Sequence, residues 1–528
     1  MRLMNTLKPS TWALTNSPTR RSNADMDPVP IHLRTWTTWN YIAYWISDAL
    51  NPSMWAVGSS MIAVQLSWRQ ALGAISLGHI IIAAVIVLNG TMGARLHVAF
   101  PVIARTSFGF SFSYFCVVCR IILSIFWFGI QSFVGAECTY QMLKAIWPSA
   151  VHIENRLPAS AGITTSKMVC FLIFWLLQLP LLLVSPRRIR HLFVAKALFV
   201  PITFLAILTW AMIKVPPDLS LAKPGGSISA WSWLRALNSA LGSWATLSVN
   251  IPDFTRYAIN EKAQYIQIII IPTLITLVGF CGIAVASASE ILYGSVIWDP
   301  LMVIDRWENR AASFFAAFSF ALAVLGTNIS ANSLSAANDM TVLMPRYINI
   351  RRGQVICAVL GGWIICPWKI LSGAPGFLNF MSANSIFLGP FAGIMVVDYW
   401  IIRSCKVDVD ELYNPQGAYC YWHGINWRAA VAFSVGFVPT VPGLAASLIP
   451  QLHVMNMQYI SDIGFMVSCL PHSHMGLYLR CSLRPSHLWT LKNQTSIIPR
   501  TSSDNSGSVA LLLGISDSVL TKTHEFRR

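Results

Sequence analysis

Hydrophobic positions fall into about a dozen long apolar runs, set apart by short charged or Pro/Gly-containing turns. By residue number the runs are 41–65, 72–89, 111–143, 168–184, 192–213 and 236–249, followed by 266–286, 314–343, 354–370, 377–402, 429–449 and a weak 459–470. Most are roughly 17 to 25 residues long, the length of one bilayer crossing. Hydrocarbon offers no water to satisfy peptide groups, so runs this long must close their own hydrogen bonds as helices. The pattern predicts an all-α integral membrane bundle of about twelve helices, with residues 1–40 as an N-terminal tail, 41–470 as the transmembrane domain and 471–528 as a disordered, basic, Ser/Thr-rich tail. The last run stops short at Pro471, so the twelfth helix is expected to be truncated.

Two runs are interrupted where a plain anchor would not be. Asn51, Pro52 and Ser53 split the first, since proline removes a backbone donor. Gly242, Ser243 and Trp244 interrupt the sixth, which Asn250 and Pro252 close before Asp253. First and sixth correspond if the chain is a five-plus-five repeat, and paired breaks of that kind point to a binding site. A simple kink remains the other reading for each break taken singly.

Composition agrees with a membrane solvent: 55% of the residues are hydrophobic and only 11% charged, against about 25% charged in soluble domains. The net charge of +16 does not read as a nucleic-acid surface, because the basic residues sit between apolar runs without interleaved aromatics. They are biased to one side. With the basic N-terminus inside, the cytoplasmic loops carry Arg95 and Arg105, then Arg187, Arg188, Arg190 and Lys196, then Arg256 and Lys262, then Arg346, Arg351 and Arg352, then Arg403 and Lys406. The opposite loops are poorer, although Lys144, Arg156 and Lys167 follow the third run. A plasma-membrane protein with a cytoplasmic N-terminus is expected. The cysteine pair Cys116 and Cys119 lies in an apolar stretch with no second pair, so no metal site is predicted.

Few side chains in the runs carry chemistry. Trp127 and Gln131 are four apart and share a helix face; a flat ring beside an amide suits a flat heterocycle with N–H and C=O groups, or equally a lipid-interface Trp with a packing Gln. The eighth run holds a polar stripe of Gly326, Thr327, Asn328, Ser330, Asn332, Ser333 and Ser335, which fits interhelical hydrogen bonding or a lined pathway. Asp48, Glu137, Asp339 and Asp398 are intramembrane carboxylates and hence proton-site candidates, with contact to water at helix ends the expected alternative. No nucleophile elbow, Walker loop, paired metal ligands or kinase signature is convincingly placed, so an enzyme is not predicted. A channel fits less well, since asymmetric Trp and amide residues suit recognition of one molecule better than a ring of like groups.

At these residues the chain resembles the nucleobase:cation symporter-1 family and, within it, the Fur-type permeases of fungi. The resemblance rests on NPSMWAVGSSMIAVQLSWRQAL, HVAFPVIARTSFGF, WFGIQ, WATLSVNIPDFTRY, TNISANSLSAANDM, KVDVDELY and INWRA, spread over residues 35–462. It implies a leucine-transporter-like fold with two further helices, and secondary active import of a uracil- or allantoin-like heterocycle. It also implies that the guest stacks between Trp127 and Trp244 near Gly242 and bonds to Gln131 and Asn332, with Phe380 and Met381 as a gate. The family's cation site falls on Ala323, Gly326 and Thr327 with the first break at Asn51 and Ser53. Glycine at 326 supplies no hydroxyl where the bacterial hydantoin carrier has serine, so proton coupling is expected rather than sodium, with no organic cofactor. Uridine, thiamine or nicotinamide riboside uptake, and a truncated non-transporting relative, are the alternatives that the resemblance leaves open.

Overall fold

The computed structural model describes residues 25–149, 153–184, 186–216, 229–449 and 451–467, and among them there is helix and no strand. The C-terminal tail and residues 468–470, the end of the last run, lie outside the described residues. In chain order the helices are α1 (Thr38–Ala49), α2 (Pro52–Ala63), α3 (Trp68–Leu96), α4 (Phe100–Phe108), α5 (Phe110–Ile146), α6 (Thr165–Leu182), α7 (Pro186–Lys214) and α8 (Ala230–Gly242). Then come α9 (Ala245–Asn250), α10 (Pro252–Thr255), α11 (Gln267–Tyr293), α12 (Pro300–Ile304), α13 (Arg310–Thr327), α14 (Leu334–Leu343), α15 (Ile350–Trp363), α16 (Pro367–Ile370), α17 (Ala374–Val396), α18 (Trp427–Phe437), α19 (Val441–Leu448) and α20 (Met457–Asp462). Among the described residues, eight helical stretches, some joining consecutive helices such as α13 with α14 and α18 with α19, are long and apolar enough to cross a bilayer.

Both expected breaks are present. The first run divides between α1 and α2, where the Asn51 side chain accepts from the Ser53 and Met54 backbone N–H groups and so caps α2, with Pro52 at its first turn; proline is tolerated there because that N–H has no helical partner. The sixth divides at Ser243 and Trp244 between α8 and α9. A Cβ on Gly242 would overlap the Met381 carbonyl, so only glycine lets α8 lie directly on α17. Two continuous runs contain wider turns that periodicity did not anticipate: π-helical segments at Asn328–Ser333 and Val397–Ile402. Such single-turn π bulges recur at functional sites.

Outside the spans, the segment between α11 and α13 is clasped to the end of α5. Asp305 accepts from Gln141 at 2.8 Å and from Lys144 at 2.7 Å, and Arg310 donates to the Ala145 and Ile146 carbonyls. Asp299 caps α12 through the Leu301 N–H at 2.9 Å and lies within hydrogen-bond reach of Glu137, which pairs with Lys167 at 3.0 Å. Burial, and then the Glu137 carboxylate, push the Asp299 carboxyl up to about 8, against the pull of the Leu301 N–H and Lys167. The sign follows: the folded chain keeps a proton there that the unfolded chain has already released, so stability is greatest in acid and falls as pH climbs from the ordinary aspartate value through the raised one. Asp299→Asn, which mimics the protonated acid and still caps, should flatten this decline in melting temperature between about pH 5 and about pH 9; an unchanged slope would place its origin elsewhere.

Candidate functional site

Trp127 and Gln131 lie on α5, both buried, and the polar atoms they could offer a guest have no protein partner: the Trp127 ring N–H and the Gln131 side-chain carbonyl oxygen. Trp244, in the break between α8 and α9, is likewise buried with its ring N–H unpaired. Neither indole faces lipid. These three polar atoms can therefore meet a guest without giving up a protein partner. Trp45 of α1 meets the Trp244 ring edge-on at a centroid distance of 4.9 Å and is itself anchored by donating to Gln267 at 2.8 Å. Phe380 of α17 packs edge-on against Trp127 at 5.4 Å, while Met381 is buried with its carbonyl against Gly242. Asn332 lies in the π-helical turn and donates to the Asn328 carbonyl oxygen at 3.0 Å.

The positions expected to hold a cation are arranged differently from the expectation. Ala323 is fully buried and Ser53 Oγ has no partner. Asn51 spends its amide locally, donating to the Asp48 carbonyl at 2.6 Å besides capping α2, and the Ala49 carbonyl accepts the Asn51 N–H. Two carbonyls freed by the break are therefore already engaged. Beside Thr327 stands an ammonium: Lys196 Nζ of α7 donates to Thr327 Oγ1 at 2.8 Å and lies 3.9 Å from Asp48 Oδ1. A Cβ on residue 326 would fall 2.8 Å from Lys196 Cδ and 3.3 Å from its Nζ. Glycine at 326 makes room for the lysine. Ser330 completes the cluster by donating to Asp48 Oδ1 at 3.0 Å.

Lys196 thus corrects its assignment to a cytoplasmic loop: it is 1% exposed, inside the bundle. Its position within the fifth apolar run was the available signal, because a lysine there must find a partner or leave the hydrocarbon. The carboxylates are corrected as well. Asp48, Asp339 and Asp398 are buried rather than at watery helix ends. Asp398 pairs with Arg403 at 2.8 Å and accepts from Ser107 at 2.9 Å, whereas Asp339 pairs with Arg120 of α5, an arginine that the sequence reading passed over.

Two broken helices, a buried aromatic-amide cluster beside them and an ion pair joining the first break to α7 and α13 define a multi-pass helical transporter. Comparison with known proteins makes the assignment particular. Residues 28–467 match the family model described as permease for cytosine/purines, uracil, thiamine, allantoin, and the chain belongs to that family, the nucleobase:cation symporter-1 transporters. It is 35% identical over 474 residues to the allantoin permease of Saccharomyces cerevisiae, across 85% of this chain and 74% of that protein. To the uracil permease of the same yeast it is 34% identical over 464 residues, across 83% and 73%. A structure of Mhp1, a nucleobase-cation-symport-1 family transporter in a closed conformation with bromovinylhydantoin bound, shares the fold with a TM-score of 0.68 at 21% identity, over 90% of this chain and 96% of that one.

Proposed function

We propose that this permease imports a flat heterocycle such as uracil or allantoin together with a proton across the plasma membrane, with its N-terminus in the cytoplasm. The coupling part of this reading rests on Lys196. A mobile sodium ion would need hard oxygen ligands; here Gly326 offers no side chain, Asn51 occupies carbonyls of the break, and a tethered ammonium stands between Asp48 and Thr327. The lysine supplies the positive charge, and a proton that joins or leaves the Lys196–Asp48 cluster makes or weakens the tie between α1, α7 and α13. Alternating access would use that tie to set when the broken helices move.

The guest is held by Trp127 and Trp244 as stacking faces and by Gln131 and Asn332 as hydrogen-bonding amides, with Gly242 keeping the wall of α8 tight against α17. Phe380 and Met381, already against Trp127 and Gly242, act as the gate. The substrate class is supported by the names of the yeast relatives and by the orphaned N–H and C=O groups, which match those of a cyclic ureide. The charge bias of the loops supports the orientation.

Uptake of labelled uracil or allantoin by cells lacking their own permeases tests the reading. It should rise as external pH falls and ignore replacement of sodium; uptake that tracks sodium would overturn proton coupling. In the same assay Trp127→Ala should raise KM by about ten- to a hundredfold with surface expression retained, because one stacking partner contributes roughly 1 to 3 kcal/mol. Wild-type KM in that variant would remove Trp127 from the site.

A further inference from the structure

Behind the substrate amides runs a buried polar chain that crosses three helices. Ser132 of α5 donates its hydroxyl hydrogen to the Phe128 carbonyl at 2.8 Å, so its oxygen is left to accept. It accepts from Gln178 Nε2 of α6 at 2.9 Å and from Asn328 Nδ2 at 3.1 Å. Asn328 Nδ2 also reaches Gln178 Oε1 at 3.0 Å and the Phe128 carbonyl at 3.2 Å. Ser132, Gln178 and Asn328 are all fully buried.

The polarity of this chain is fixed at one end. A backbone carbonyl can only accept, so turning the Asn328 amide over would set oxygen against oxygen at Phe128. With its NH2 group committed there, Asn328 presents its carbonyl oxygen in the opposite direction, and Asn332 Nδ2 donates to it at 3.0 Å. That bond orients the Asn332 amide, its NH2 group toward Asn328 and its own carbonyl oxygen on the other side. One residue before Ser132, Gln131 has an unpaired carbonyl oxygen. Asn332 therefore offers an acceptor on the side away from Asn328, near the unpaired Gln131 carbonyl oxygen on α5 and the unpaired indole N–H groups of Trp127 and Trp244.

We propose that Asn328, held by Gln178 and Ser132, is a positioning residue that turns the Asn332 carbonyl oxygen toward the guest, so that the site selects heterocycles presenting a ring N–H at that edge. The inference rests on the reading that Asn332 lines the substrate pocket, and it adds the donor–acceptor polarity that reading lacks. A site built to hydrogen-bond a substrate N–H rejects the analogue without it, because its own polar atom is then buried unpaired.

The test compares inhibition of labelled uracil uptake by uracil, 1-methyluracil and 3-methyluracil. Wild type should discriminate against one of the two methylated isomers by about tenfold or more, the loss expected when a hydrogen bond is broken and its buried partner stranded. Asn328→Leu should weaken uracil and shrink that ratio to about threefold or less, since a released Asn332 amide can rotate. Gln178→Leu, which leaves the Phe128 contact of Asn328 in place, should shift the ratio the same way by less. A ratio unchanged in both variants while all three ligands weaken equally would make Asn328 a packing residue and overturn the proposal, as would a wild type indifferent to both methyl groups. Absence of any inhibition by uracil in wild type would instead sink the substrate reading, and this inference with it.

Discussion

Lys196→Met is expected to abolish proton-driven accumulation and to destabilise the protein by about 3 to 5 kcal/mol, the cost of leaving one partner of a buried ion pair uncompensated. Asp48 is fully buried and would retain only neutral hydroxyl partners, Ser330 at 3.0 Å and the neighbouring Tyr44. Adding Asp48→Asn should restore the melting temperature, since the stranded charge is gone, but not pH-driven accumulation, because neither proton-carrying group remains. That split separates folding from coupling. Lys196→Arg should also fail: a planar guanidinium is bulkier than an ammonium, and the space at Gly326 is already filled by the lysine stem. Full acid-stimulated accumulation by Lys196→Met at normal surface levels would remove the lysine from the coupling mechanism.

Arg120→Met should lower stability by a similar amount, about 3 to 5 kcal/mol, and prevent most of the protein from reaching the surface. Arg120 and Asp339 are both 0% exposed and paired to each other. Arg120 also donates to the Ser335 carbonyl at 3.0 Å and lies over the Phe100 ring. Around this pair, Asn250 donates to Ser335 Oγ at 2.9 Å, and Asp253 accepts the Phe100 N–H at 2.9 Å. The end of the second broken helix is thus knitted to α4, α5 and α14. Arg120→Met combined with Asp339→Leu should recover melting temperature, because a buried pair replaced by apolar groups of similar size is often neutral or stabilising. If the single variant melts like wild type, the pair is not bearing a buried charge.

Several features were legible because their signals are local. Apolar runs of membrane length located the helices, with ends off by up to about seven residues as at Leu96 and Tyr293, since each run must satisfy its own backbone whatever its neighbours. Pro52 and Gly242 marked the two breaks, the one lacking an N–H and the other lacking a Cβ, and both effects act within a turn. Trp127 and Gln131 could be paired on one face by spacing alone. The polar stripe from Gly326 to Ser335 stood out as unusual, yet its π-helical turn did not, because the widened turn is set by what Asn328 bonds across the bundle.

The amino-acid sequence by itself determined that this chain is a membrane bundle, where its helices run and where two of them must open. Only the tertiary structure decided which charges meet: Lys196 finds Thr327 across 131 residues of chain and Asp48 on another helix, and Arg120 finds Asp339. The physical reason is that hydrophobicity and backbone chemistry are summed over neighbours in sequence, whereas the cost of a buried charge is settled by whatever group folding brings within a few ångströms. A lysine in an apolar run announces that it needs a partner, but its sequence neighbourhood does not say which.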